Sequence, residues 1–414
     1  MSDDKGASGL TSAATPTVRE YLDAYWIRVK AGDLGSIPII AGIILIAIIF
    51  QMQSDVFLSS VNFVNLVRQL AGLAVIAIGV VFVLLIAEID LSVGWVSGVI
   101  AVTMTLVLRA PPNGPDWPAW LAIGVGLLLA AGIGFLHGVI ITKARVPSFV
   151  VTLAGLLGWS GVVLILMTEF TDSGTVLIQD DFVIGIANNF MTEFWGWALA
   201  VAGIAGWIVV QLLKRAARSR AGLPVKPMPI LAAQSAALAV VSLFAVAVAN
   251  RDRGVPTVAL LVGALLVFWT FVASRTRFGR HVYAVGGNPE AARRAGINVD
   301  RVRIAVFMIA SVMAGIGGII YASRLRSVDP NAGGGNLLLN AIAAAVIGGT
   351  SLFGGQGRVA AALVGAIVIQ SVDNGMGLLG LPSGVKFVVT ALILLAAVLL
   401  DSFSKRAQQA SGVA

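Results

Sequence analysis

The sequence predicts an all-α integral membrane protein with about 10–12 transmembrane helices, and three observations support that class. Of the 414 residues, 58% are hydrophobic and only 12% are charged. The mean hydropathy of +0.95 lies far above the range of water-soluble domains. Apolar stretches of roughly 20 residues, the length that crosses about 30 Å of hydrocarbon, recur from Ile39 to Leu400.

The chain divides into a cytoplasmic tail at 1–36, a transmembrane domain at 37–400 and a second cytoplasmic tail at 401–414. The first 36 residues lack the apolar core and cleavage site of a signal peptide. The predicted apolar segments lie near 37–52, 69–87, 91–109, 119–141, 148–167, 195–213, 229–249, 257–274, 304–322, 338–353, 359–377 and 384–400.

Charged residues between these segments predict how the chain is threaded. Basic loops follow the fourth, sixth and eighth segments, at Lys143–Arg145, Lys214–Lys226 and 275–303. The positive-inside rule places all three, and both termini, in the cytoplasm. The stretch from Thr168 to Phe194 has five acidic residues and no Lys or Arg, so it is expected outside. The net charge of +8 therefore reports membrane orientation rather than nucleic-acid binding.

Several chemical classes are excluded by what the sequence lacks. It has no cysteine, which removes disulfides, thiolate metal sites and cysteine nucleophiles. No nucleotide-binding loop, zinc-binding helix pair or serine nucleophile turn occurs in it. We therefore expect no catalytic residue, no cofactor and no metal site, and any ATP hydrolysis must occur on another chain.

Two polar breaks interrupt apolar runs, at Glu88–Gly94 and at Gly348–Gly357. Each is either a cytoplasmic turn, with glycine supplying positive φ, or non-helical backbone at membrane depth. Interrupted helices in corresponding halves of a chain often mark a transport path.

The carboxylates of the first break need a reason to be near the membrane interior, where a charge costs about 2.5–3.5 kcal/mol. If the break is unwound, Glu88 and Asp90 could accept hydrogen bonds from hydroxyl groups or brace the backbone. If it is a turn, Asp90, Leu91 and Ser92 form a helix N-cap. His137 is expected to be a packed, hydrogen-bonded residue rather than a proton relay.

Neutral amides dominate the other polar groups in apolar segments, which suits an uncharged polyol better than an ion. Asp373 and Lys386 flank one predicted outer connection and are expected to be an ion pair or two solvated groups. These further polar residues are Asn340, Gln370, Asp373, Asn374 and Lys386.

A short cytoplasmic helix is predicted after Asn288. Asn288 is a good N-cap, Pro289 suits the first helical position, and Glu290 complements the helix dipole. Gly296 suits a left-handed C-terminal cap. Because a two-turn helix is not stable alone, it must pack on something. Its support is either its own protein and anionic headgroups, or a groove on a separate motor subunit.

Three motifs together resemble the ribose/xylose/galactose-type ABC permease family. They are Glu88–Gly94, the run Gly286–Ala292 with Ala295–Ile297 after it, and Ala341–Ala344 leading to Gly348–Ser351. The resemblance covers roughly residues 65–400. It implies an all-helical permease of the bacterial inner membrane that dimerises, receives sugar from a periplasmic binding protein and couples to a cytoplasmic ATP-binding subunit.

The resemblance implies Glu88–Gly94 and Gly348–Gly355 as candidate path regions and the loop Asn288–Ile297 as the coupling element, and the polar residues of the apolar segments add further path candidates. Candidate substrate-path residues are Glu88, Asp90, Ser92, Asn340, Thr350, Ser351, Asp373 and Asn374. Candidate ATPase-coupling residues are Gly287, Asn288, Pro289, Glu290, Arg293, Arg294 and Gly296.

The extra basic loop at Lys214–Lys226, with an apolar segment on each side, is similar to the longer xylose-permease branch, so D-xylose is the expected substrate. One departure concerns Leu337–Asn340, where family members often carry an acidic residue. Two other functions stay open on the sequence. A proton-coupled transporter would use Glu88, Asp90 or His137 as titrating groups, and a membrane scaffold would carry no solute.

Overall fold

The chain is mostly helical in the computed structural model, which describes residues 17–30, 37–171 and 174–410. The predicted tail residues 1–16, 31–36 and 411–414 lie outside the described part. The helices are α1 (Val18–Lys30), α2 (Ile37–Gln53), α3 (Ser60–Leu85), α4 (Val93–Val107), α5 (Ala119–Lys143), α6 (Ser148–Phe170), α7 (Asp181–Asn188), α8 (Glu193–Arg220), α9 (Met228–Asn250), α10 (Thr257–Arg275), α11 (Arg277–Gly287), α12 (Pro289–Arg294), α13 (Val299–Leu325), α14 (Leu337–Ile347), α15 (Ala360–Leu378) and α16 (Ser383–Ala410). The strands β1 (Val176–Leu177) and β2 (Ser327–Val328) pair antiparallel.

Eight helices of the described part are long and apolar enough to cross a membrane: α3, α5, α6, α8, α9, α10, α13 and α15. Shorter apolar helices are α2, α4, α14 and the first half of α16. This composition and length confirm the predicted helical, multi-pass class.

The chain forms two compact units. The larger contains residues 36–190 and 256–403, and the smaller contains residues 1–35, 191–255 and 404–414.

Helices α3 and α13 form the centre of the larger unit. Helix α13 packs on α3, α4 and α5, while α15 packs on α2, α3 and α14. Small residues allow close approach: Gly134 and Gly138, one turn apart on α5, face α13, and a Cβ atom on Gly138 would lie 2.7 Å from Ile304 Cα. Such small-residue contacts replace the hydrophobic driving force that lipid cannot supply.

The larger unit has two distinct ends. The α7 end contains α7, the β1–β2 pair and the C-terminus of α13, where Ser323 Oγ accepts from Ala187 N and donates to Ile184 O (2.9 and 3.0 Å). The α12 end contains α11, α12 and the C-terminus of α3. Loop 168–194, predicted to lie outside, is therefore folded onto α13 where it is described.

The smaller unit contains α1 and a hairpin of α8 and α9. The two hairpin helices pack on each other, and Met191 N donates to Val255 O (2.8 Å) across the open end of the hairpin. Most of their surface is exposed, since only 6% of the apolar stretch of α8 and 11% of that of α9 is buried.

Several predicted boundaries differ from the structure. Helix α3 begins at Ser60, nine residues before the predicted 69. Helix α8 continues through Arg220, so most of the predicted basic loop 214–226 is helical, consistent with the good helix propensity of Lys and Arg. Helix α14 ends at Ile347 rather than near 353 because a glycine turn follows it. Helix α16 runs to Ala410, across the predicted tail boundary at 400.

Candidate functional site

The predicted substrate-path residues do not form one cluster. Asn340 and Asp373 line a cavity at the α7 end, and Asn374 lies in an amide network beside it. Asp90 and Ser92 are buried inside the bundle. Glu88, Thr350 and Ser351 lie at the α12 end.

The cavity at the α7 end has a volume of about 450 Å³ and is lined by polar and apolar residues in similar number. It lies between α4, α13, α15, α16 and the loop 326–336 that leads into α14. Asn336, Asn340 and Gln370 supply amides, and Tyr321 and Phe387 supply aromatic rings. Charged residues of both signs line it, namely Arg324, Asp329, Asp373 and Lys386. We call this the α7-end cavity.

Two buried polar atoms next to this cavity have no hydrogen-bond partner among the described residues: Arg324 Nε and Asn340 Oδ1. The Arg324 guanidinium lies over the Tyr321 ring, 5.8 Å from its centroid. Buried polar atoms are nearly always hydrogen-bonded in proteins. A ligand that carries both donors and acceptors would satisfy these two atoms.

Asp373 and Lys386 both line the cavity, but neither makes an ion pair within 4.0 Å in the described part of the chain. Asp373 Oδ2 instead accepts from Gln370 Nε2 (3.1 Å). Of the two expectations for these residues, the geometry matches separate, partly exposed groups.

Asn374 belongs to an amide network that joins α3 to α15. Its side chain exchanges two hydrogen bonds with Asn62 (2.9 and 3.0 Å) and donates to Gln69 Oε1 (3.2 Å). Both Asn62 and Asn374 are buried. Fully paired buried amides of this kind fix the register of two helices.

The first polar break enters the bundle. Glu88 lies at the α12 end, where its carboxylate pairs with Arg303 (2.9 Å). Four residues later, Ser92 contacts His137 of α5. His137 is six residues before Lys143, the last residue of α5, which at 1.5 Å per residue is about 9 Å along the helix axis. Helix α4 therefore starts inside the bundle.

A chain of hydrogen bonds fixes this start of α4. Trp159 Nε1 can only donate, so His137 Nε2 is the acceptor (3.1 Å) and the proton resides on Nδ1. His137 Nδ1 then faces Ser92 Oγ (3.4 Å), which donates to Asp90 Oδ1 (2.6 Å). Both ring nitrogens are engaged, as expected for a packed histidine. Asp90 Oδ1 also accepts from Ser92 N, so Asp90 rather than Ser92 braces the turn.

Helix α4 meets the re-entering loop 329–336 at this depth. A Cβ atom on Gly94 would lie 2.7 Å from Gly333 O and 3.4 Å from Leu338 Cβ, so only glycine fits between the two segments. The first turns of α4 and α14 thus meet inside the bundle, the arrangement in which transporters build sites from interrupted helices.

The second break is a glycine turn at the α12 end. Gly354 and Gly355 have φ of +81° and +69°, where glycine carries no steric cost. Gly355 N donates to Leu85 O (2.9 Å) at the end of α3. Thr350 and Ser351 are buried within this turn. Of the two structures predicted for this break, the geometry matches the turn.

Helix α11 contacts the second break and the end of α3, which precedes the first break. At Gly286, a Cβ atom would overlap the Leu85 carbonyl and lie 2.7 Å from Gly355 N. Tyr283 Oη donates to Gly357 O (2.9 Å). Burial raises the pKa of the Tyr283 phenol, so it stays protonated and keeps this bond. A displacement of α11 would therefore reach the second break and the end of α3 directly.

Helix α12 has the predicted caps. Asn288 Oδ1 accepts from Ala291 N (2.9 Å), Pro289 occupies the first turn, and Gly296 has φ of +82°. Glu290 pairs with Arg293 (2.9 Å) and Arg294 (3.9 Å). Four of the predicted coupling residues are exposed, namely Gly287, Asn288, Arg293 and Arg294. Ala292, between them in the sequence, is buried.

A groove of about 990 Å³ adjoins α12. Two ion pairs cross it, Glu88–Arg303 (2.9 Å) and Lys143–Asp300 (3.8 Å). Arg293 and Ile297 line its edge. The groove and α12 together form a single, mainly basic surface at the α12 end.

Sequence reasoning missed Arg324, Tyr321 and Asp329 as cavity residues. The signal for Asp329 is the run Asp329–Asn336, whose three glycines and polar residues separate two apolar segments. That pattern predicts non-helical backbone between spanning segments. Tyr321 and Arg324 lie outside that run, at the end of α13.

Among the described residues, no group of three or more His, Asp or Glu is arranged to hold a metal.

A bundle of long apolar helices, with interrupted helices meeting inside it, a polar cavity at one end and an exposed capped helix at the other, defines a multi-pass membrane permease. The chain belongs to the family described as "Branched-chain amino acid transport system / permease component", which matches residues 62–398. It is thus the permease component of a transport system and not the ATPase.

The relatives of this chain include sugar permeases. It is 39% identical to the xylose transport system permease protein XylH of Escherichia coli over 379 residues, 91% of this chain and 94% of that protein. Identity to the Haemophilus influenzae XylH is 34% over 92% of this chain and 99% of that protein. Identity to the ribose import permease protein RbsC of Escherichia coli is 31%, over 94% and 98% respectively. No solved structure matches the chain. These similarities confirm the family resemblance and the multi-pass inner-membrane location.

Proposed function

We propose that the chain is the transmembrane permease subunit of an ABC importer for a monosaccharide, D-xylose. A periplasmic binding protein delivers the sugar, and ATP hydrolysis on a separate subunit drives transport. The similarity to XylH over 91% of the chain supports this substrate, although the family description itself names branched-chain amino acids.

The α7-end cavity is the observation that carries the proposal. Its volume of about 450 Å³ falls within the range of small-molecule sites. Asn340, Asp373 and Arg324 present acceptors and donors that match the hydroxyl groups of a pentose. The lining combines polar and apolar residues in similar number. The choice of a sugar over a branched-chain amino acid is therefore supported by the similarity to xylose and ribose permeases.

The path continues from this cavity toward the α12 end through the junction of α4 and α14. Gly94 and Ser92 lie at that junction, and Asp90 braces it. The Glu88–Arg303 ion pair lies at the α12 end and is the proposed gate there. Transport requires these contacts to separate in turn, so that the sugar is never open to both sides.

Helix α12 is the proposed coupling helix. It is exposed, capped at both ends and joined to α11, which contacts the end of α3 and the second polar break. A motor subunit that moves α12 would therefore move the ends of α3 and the turn at Gly355. A second copy of the chain, as in a homodimer, completes the proposed importer.

Uptake of labelled sugars by vesicles tests the function. The chain is reconstituted with its ATP-binding subunit and binding protein, and uptake of xylose, ribose, galactose and leucine is compared with and without ATP. We expect ATP-dependent uptake with xylose fastest. Leucine uptake exceeding xylose uptake would contradict the sugar assignment, and uptake driven by a proton gradient without ATP would contradict the ABC mechanism.

A further inference from the structure

The smaller unit contains a cationic cavity that the transport mechanism does not use. Its volume is about 580 Å³, and it lies where α8 ends and the loop to α9 begins. Lys214, Arg215 and Arg218 line it from α8, and Lys226 lines it from the loop. In the described part of the chain, none of these four cations makes an ion pair within 4.0 Å, and no carboxylate lines the cavity.

Backbone carbonyls hold the two guanidinium groups in place. Arg218 Nε donates to Pro224 O (3.1 Å), and Arg215 donates to Lys226 O. A guanidinium has five N–H donors, so one such bond leaves donors for a phosphate group. The loop thus orients two forked donors toward the same space.

The rest of the lining is apolar or amphipathic. Val225 and Leu231 are buried, and Tyr21 of α1 closes one side. Leu22 and Trp26 of α1 expose 44% and 55% of their surface, as in an amphipathic helix at a membrane interface. A free inorganic anion would not need these apolar walls.

The position along α8 matches the headgroup layer. The apolar part of α8, from Phe194 to Leu213, is about 30 Å long at 1.5 Å per residue, which is the thickness of the hydrocarbon core. The cations begin at Lys214, immediately after it. Clusters of Lys and Arg at such positions attract anionic lipids.

We propose that this cavity binds the headgroup of an anionic phospholipid, with the phosphate between Arg215 and Arg218 and the glycerol against Val225 and Leu231. The occupant is a lipid rather than a free phosphate because the cavity combines cations, apolar walls and headgroup depth.

Native mass spectrometry of the purified full-length chain in a neutral detergent tests the proposal. The probes are phosphatidylglycerol and phosphatidylcholine of equal chain length. The test variant is R215Q/R218Q. The matched control is R251Q/R253Q, which removes the same charge from the other end of the same hairpin. Circular dichroism and gel filtration establish that each variant folds, and K214Q/K226Q serves if the arginine variant does not.

We expect wild type and control to bind phosphatidylglycerol roughly tenfold more tightly than phosphatidylcholine, and the test variant to lose that preference. Equal binding of the two lipids by wild type would overturn the proposal, as would an unchanged preference in a folded test variant. Displacement of the bound lipid by inorganic phosphate would identify the occupant as a free anion and would also overturn it.

Discussion

At the scale of single residues, the chain separates polar groups that brace the fold from polar groups that remain available to a ligand. Asn62 and Asn374 pair with each other, and His137 has both ring nitrogens engaged. Asn340 Oδ1 and Arg324 Nε, in contrast, are buried at a cavity and lack partners among the described residues. Asn340 and Arg324, rather than the paired Asn62 and Asn374, therefore mark where a polyol would bind in the proposed function.

The substitution Asp373→Asn tests this distinction. It keeps the shape of the side chain and the bond from Gln370, but it removes the charged acceptor from the α7-end cavity. A hydrogen bond to a charged group contributes about 1.5–3 kcal/mol, so we expect ATP-driven xylose uptake to fall roughly tenfold at saturating binding protein. The measurement is initial uptake rate per inserted protein.

The control is Asp181→Asn on α7, which removes the same charge at the same end of the bundle but outside the cavity. It should transport at the wild-type rate. Equal rates for both variants and wild type would remove Asp373 from the path.

At the scale of secondary-structure elements, the short helices α4, α12 and α14 form the candidate functional parts, and the long helices hold them in position. Helix α4 begins inside the bundle at Ser92, and α14 is only 11 residues long. Helix α12 has six residues and depends on its caps. The long helices α3 and α13 hold these pieces together through close glycine contacts, such as Gly79 against Ala310.

A charge swap on α12 tests coupling. In the double variant E290K/R294E the exposed i, i+4 pair is kept in reverse order and the Glu290–Arg293 pair is lost, so the helix loses about 0.5–1 kcal/mol. Because the charge pattern of a docking surface controls association, we expect sugar-stimulated ATP hydrolysis to fall by at least about tenfold. The readout is ATPase activity of the reconstituted complex.

The matched control is R19D/D23R, which reverses an exposed i, i+4 pair on α1. Its ATPase stimulation should remain normal. Full stimulation in the α12 variant would mean that the helix serves only to pack its own protein.

At the scale of the whole molecule, the segments that the sequence predicts on one side of the membrane lie at the same end of the larger unit. The basic α11–α12 segment and both Lys143 and Arg303 lie at one end of the larger unit, while the acidic loop with α7 lies at the other. From the positive-inside rule, we expect the α12 end to face the cytoplasm.

Cysteine labelling tests this orientation, and the natural absence of cysteine makes the background zero. Ala291→Cys on α12 and Gln179→Cys beside β1 are both at exposed positions. With a membrane-impermeant maleimide, we expect Ala291→Cys to react only in inside-out vesicles. Gln179→Cys should react only in right-side-out vesicles. The reverse pattern would place the coupling helix on the wrong side for an importer's motor.

The sequence by itself determined the membrane class, the helix-rich fold and the caps of α12. These depend on local composition and spacing: apolar length fixes a spanning helix, and Asn288, Pro289 and Gly296 act on their own backbone neighbours. It also located the two polar breaks, because polar and glycine-rich runs stand out in an apolar chain.

Only the tertiary structure decided which polar residues meet. Asn340, Arg324 and Asp373 come from three helices and share a cavity, whereas Asp373 and Asn374 are neighbours with different surroundings. It also decided that the first break enters the bundle and the second is a terminal turn. The physical reason is that a side chain's partners depend on how distant helices pack, and one sequence pattern is compatible with both depths.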